Sequence, residues 1–95
     1  MESEIRGLIE KEIEHITRID ILEGFAEATQ KDFPTKSMKD CLFGFVLGYI
    51  LGCFAHLIQI KKGRRPTDDE IKEFWETLKK RAIQIRGNIE LALGR

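Results

Sequence analysis

The stretch from Cys41 to Ile60, CLFGFVLGYILGCFAHLIQI, constrains this chain more than any other, because across twenty residues it holds no side chain charged at neutral pH apart from His56. A helix that is apolar all the way round has to be covered on every side, by protein or by lipid. Gly44, Gly48 and Gly52 fall on one i,i+4 ridge of that helix. Each glycine is about 1 kcal/mol worse than alanine in a helix interior. A ridge without side chains offsets that loss only if another helix approaches it closely, so the three glycines are expected to form a dimer interface.

The flanks read as helices that respond to this run. Ile5, Ile9, Ile13 and Ile16 recur at the spacing of one helical face, with Ser3 as the expected cap. Continuing that meridian leads to Asp20, Glu23 and Glu27, while Ile19, Leu22 and Ala26 carry the apolar stripe around the helix. The carboxylates therefore border or enter the core side of the first helix, and Gly24 marks an expected bend. Pro34 interrupts helix at Phe33, and Thr35 or Ser37 can cap the next segment. The second helix ends on Lys61, Lys62, Gly63, Arg64 and Arg65, cations and a glycine that suit a helix C-terminus. Thr67-Asp68-Asp69-Glu70 is a capping box, and Ile71, Trp75, Leu78, Ala82, Ile85, Ile89 and Ala92 then alternate by four and three as a packing seam.

The expected fold is all-α: one domain over residues 1–95, an antiparallel bundle of three long helices at about 4–31, 36–62 and 68–92. Each helix would be about 40 Å long. Two amphipathic helices cover only part of an all-apolar third, and each exposed apolar side chain forfeits about 1.5–3 kcal/mol. A homodimer with the second helices at its centre completes the burial. A membrane span is the competing reading, since eighteen residues from Cys41 to Ile58 are long enough and the following cations would anchor it. Against that reading, the flanking helices have apolar faces in need of a partner, and His56 and Gln59 lie inside the run.

Sixteen basic and sixteen acidic residues balance, which argues against a general affinity for nucleic acid. Cys41 and Cys53 lie twelve apart on one helix and cannot pair with each other, which fits a reducing cytoplasm. No basic segment followed by an apolar one opens the chain, so no signal peptide is expected. Cys53 and His56 alone make half a zinc site, and His56 reads more simply as an interface residue.

Asp20, Glu23 and Glu27 repel one another on one face, with only Lys31 in line to relieve them. Asp40, the one acid between Phe33 and Pro66, sits one turn into the second helix, where a hairpin across Pro34 brings the two helices together. Oxygen ligands from facing helices suit magnesium, although solvated acids on an exposed face fit the same spacing.

Asp20-x-x-Glu23, thirteen residues, then Ser37-x-x-Asp40-Cys41-Leu42-Phe43 resembles the motif of the all-α nucleoside triphosphate pyrophosphatases, the group of MazG and the dimeric dUTPases. That group carries E-x-x-E on one helix and E-x-x-D on the next, the aspartate running into an apolar helix. The resemblance covers about residues 16–54 and implies a magnesium-dependent helical oligomer that cleaves a nucleotide to its monophosphate and pyrophosphate. Carried over, Asp20, Glu23 and Asp40 match the first, second and fourth ligands, Glu27 is an additional acid, and Ser37 replaces the third carboxylate. Lys61, Lys62, Arg64 and Arg65 would supply phosphate contacts, but only from an antiparallel partner, since they lie at the far end of the second helix from Asp40. The competing function is a non-enzymatic helical homodimer acting as an interaction module.

Overall fold

A computed structural model describes residues 1–94 and is all-α, with no strand among them. Four helices occur where three are expected: α1 (Ser3–Ile16), α2 (Ile19–Asp32), α3 (Met38–Lys62) and α4 (Asp68–Ala92).

The extra break falls at Thr17 and Arg18, and a buried hydroxyl accompanies it. Thr17 Oγ1 donates back to the Ile13 carbonyl at 2.6 Å, and such back-bonding competes with the helical ladder and bends it. Arg18 then turns extended (φ −60°, ψ 139°) and α2 starts afresh. The freed Thr17 carbonyl accepts a hydrogen bond from Asn88 Nδ2 of α4 at 3.2 Å, so this carbonyl is paired despite the interruption. Gly24, the expected bend, lies inside α2. Ser3 is the first helical residue of α1, and its cap position, Glu2, makes no side-chain cap bond.

Capping elsewhere follows the sequence. Ser37 Oγ accepts from the Asp40 amide at 3.3 Å, and α3 closes on Gly63, whose φ of 67° is the left-handed conformation that glycine adopts without penalty. Thr67 and Glu70 form both halves of the capping box that starts α4.

Residue pairs between helices fix their directions. Lys61 meets Glu4 while Cys53 meets Glu12, so α1 and α3 are antiparallel. Lys62 meets Glu70 while Lys39 meets Glu90, so α3 and α4 are antiparallel too. Arg6 near Glu73, and Arg81 on both Glu10 and Glu14, set α1 parallel to α4. α2 packs on α3 and α4 beyond the break, with the Phe25 and Phe45 rings stacked at 3.8 Å.

One core runs through all four helices. Ile5, Ile9, Ile13 and Ile16 of α1 meet Leu42, Val46, Ile50, Phe54 and Ile58 of α3, with Phe74, Leu78, Ile85, Ile89 and Ala92 from α4. Here α4 departs from the expected seam. Phe74 is fully buried and stacks on Phe54 at 4.6 Å, whereas Trp75 stands at the edge, 36% exposed, with its ring edge-on to Phe74. The seam of fours and threes is displaced at this one position: Ile71 packs against the core, and Leu78, Ile85, Ile89 and Ala92 are buried as expected.

Candidate functional site

The apolar helix is covered on one side only. Around α3 the side chains sort into four i,i+4 ridges. Leu42, Val46, Ile50, Phe54 and Ile58 are buried against α1 and α4. The ridges beside it, Cys41-Phe45-Tyr49-Cys53-Leu57 and Phe43-Leu47-Leu51-Ala55, are half-buried. The opposite ridge, Gly44, Gly48, Gly52, His56 and Ile60, is exposed throughout, and Ile60 is 65% exposed. A Cβ built on any of the three glycines meets nothing within 4 Å, so nothing inside a single chain uses their lack of a side chain. Only 28% of the most apolar window of α3 is buried, and by length and composition alone this helix could cross a membrane.

The acidic set lies at the surface, which fits solvated acids on an exposed face. Asp20, Glu23, Glu27 and Asp40 are all exposed, and no group of three His, Cys, Asp or Glu side chains is placed to hold a metal ion among the described residues. Leu22 and Ala26 are the buried residues of α2, as their apolar spacing implies, and the carboxylates stand on its other faces. Arg18 takes Asp20 in a two-pronged contact, Nε to Oδ1 at 3.1 Å and Nη2 to Oδ2 at 2.9 Å. Ser37 has its hydroxyl oxygen engaged by the α3 amide.

The basic cluster is largely committed to structure. Lys61 pairs with Glu4, Lys62 with Glu2 and Glu70, and Arg64 with Glu70, while Arg65 makes no ion pair among the described residues. These contacts tie the end of α3 to the starts of α1 and α4. The Arg64 guanidinium, the Thr67 amide and the Lys62 ammonium hold the Glu70 carboxyl far below the usual carboxylate range. A group depressed in this way contributes stability that is present above its unfolded value, about 4.3, and is lost as pH falls toward its folded value. Glu70→Gln is therefore expected to melt below wild type at pH 7, with the gap narrowing toward pH 2; thermal melts at both pH values check it.

A third constellation had no signal in the sequence. Tyr49 Oη lies 3.4 Å from Glu12 Oε1, and Cys53 Sγ lies 3.6 Å from Glu12 Oε2. Burial raises the Tyr49 phenol and the Cys53 thiol above their ordinary values, and the Glu12 carboxylate adds to both shifts. Both groups thus stay protonated and donate to the carboxylate, which is the opposite of an activated nucleophile. Neighbouring turns of α3 and one position beside the isoleucine stripe of α1 meet here, a coincidence that no spacing rule along the chain encodes. The two cysteines are free, and His56 points away from the core.

No family model, no curated protein and no solved structure matches the chain. Function has to be argued from the surfaces themselves, and the open face of α3 is the most developed of them.

Proposed function

We propose that the chain acts as a self-associating helical unit, a homodimer in which the open face of α3 is covered by α3 of a second copy. The observation that carries this reading is the exposed glycine ridge lying opposite the buried ridge of the same helix, flanked on both sides by half-buried apolar side chains. Backbones can approach closely along such a ridge, and the flanking Phe45, Leu47, Tyr49 and Leu51 then bury their outer halves. A lipid environment around α3 is disfavoured because α1 and α4 lie along its other face and turn Glu4, Arg6, Lys72, Glu73 and Glu76 outward. Linkage supplies the test: a chain stabilised by its partner melts higher as concentration rises. A thermal midpoint that climbs over a hundredfold concentration range supports the dimer, and a midpoint that stays fixed contradicts it.

A second reading, magnesium-dependent nucleotide pyrophosphohydrolysis, follows from the resemblance of the acidic motif. It is favoured by the packing of α2 on α3 across the short segment 33–37, which sets the helix of Asp20 and Glu23 beside the one that Asp40 begins. On this reading the carboxylates need a second chain to gather them, and magnesium would orient an attacking water on the nucleotide. Incubation with a panel of nucleoside triphosphates and magnesium tests it. Pyrophosphate release that disappears in Glu23→Gln supports hydrolysis, and no release across the panel leaves assembly as the function.

A further inference from the structure

We propose that the two copies meet antiparallel, about a two-fold axis at Gly48, with Asp40 of each copy paired to His56 of the other. This rests on the assembly reading above and adds the orientation and the polar contacts that fix it.

The exposed ridge of α3 continues past its glycines at both ends, to Asp40 on one side and His56 on the other. Both side chains are exposed, and neither makes a hydrogen bond or ion pair among the described residues. Each lies two i,i+4 steps from Gly48, about 12 Å along the axis. A rotation that lays Gly48 on its own copy with the helices antiparallel therefore lays Gly44 on Gly52 and Asp40 on His56. The interface is isologous, with every contact made twice.

The geometry of helix packing supports the same register. An i,i+4 ridge is inclined about 26° to its axis, so two such ridges run along one another when the helices cross near −50°. At that crossing the residues eight positions either side of Gly48 stay on the shared line instead of winding apart. The carboxylate accepts an imidazole N–H whether the ring is neutral or protonated. A parallel pair would set Asp40 against Asp40 and His56 against His56, which is like against like. No other ridge of α3 carries an acid at one end and a base at the same distance on the other: the corresponding places hold Leu42 and Ile58 on the buried ridge, and Cys41 with Leu57 and Lys39 with Ala55 on its two neighbours.

Charge exchange distinguishes the arrangements. Sedimentation of the full chain at low salt is measured for wild type, Asp40→Lys, His56→Glu and the double variant, with circular dichroism confirming helix content. Each single change is expected to weaken the dimer on the order of tenfold, since two exposed pairs are broken. The double variant is expected to recover most of the loss, because an ammonium again faces a carboxylate. A wild-type dimer whose affinity ignores both single changes, or a double variant weaker than either single one, overturns the antiparallel pairing while the assembly reading stands. A wild-type chain that is monomeric at every concentration overturns both.

Discussion

Gly48→Leu is expected to turn the dimer into monomers while leaving the single chain folded and slightly more stable. Nothing lies within 4 Å of a Cβ at this position, so a side chain leaves the backbone there into open space inside one chain. Leucine is also better than glycine in a helix interior by about 0.8 kcal/mol, which raises the monomer's own stability. In the dimer the same side chain stands where two backbones cross. It forces the axes apart and uncovers the flanking Leu47 and Tyr49, a loss of about 3 kcal/mol or more than a hundredfold in affinity. Size exclusion at matched concentration reads the association, and urea unfolding at low concentration reads the chain itself. Opposite signs in the two experiments are the expected signature. A variant that still elutes with wild type places the interface elsewhere.

Phe54→Ala is expected to lower stability by about 3–5 kcal/mol, the range for removing a large aromatic from a packed core. Phe54 is fully buried on the inner ridge of α3 and stacks on Phe74 of α4, so truncation removes one wall of the contact between the two longest helices. Domains of this size hold about 5–15 kcal/mol in total, so the variant stands close to the edge of folding. The control is Phe33→Ala in the segment between α2 and α3, where the ring is 76% exposed. That change is expected to stay within about 0.5 kcal/mol. Urea unfolding with equal slopes for the three proteins separates lost packing from a change in the unfolded state.

The parts of the fold legible in the sequence are those set by local chemistry. Ser37, Gly63 and the box at Thr67 and Glu70 cap as read, because each needs only its own neighbours. The isoleucine stripe of α1 is buried as its spacing implies. The break at Thr17 was not legible, since it accompanies a hydroxyl buried by the tertiary fold and a distant residue, Asn88, that donates to the opened carbonyl. Phe74 takes the buried place that the spacing assigned to Trp75, one residue round the helix, where it stacks on Phe54.

The open ridge was legible for the opposite reason. Glycines at three successive i,i+4 positions in an apolar helix predict a close approach, and none of the other helices of the chain makes one there. On the proposed assembly the partner comes from outside the chain and covers the apolar surface that α3 keeps beside α1 and α4, whose outer faces are charged.

Sedimentation equilibrium of the whole chain, prepared without detergent, tests the claim that α3 is shared between two copies. Twice the 11.0 kDa chain mass, with dissociation on dilution, is the expected result. A single species of 11.0 kDa at every concentration, with α3 open to water, would contradict it.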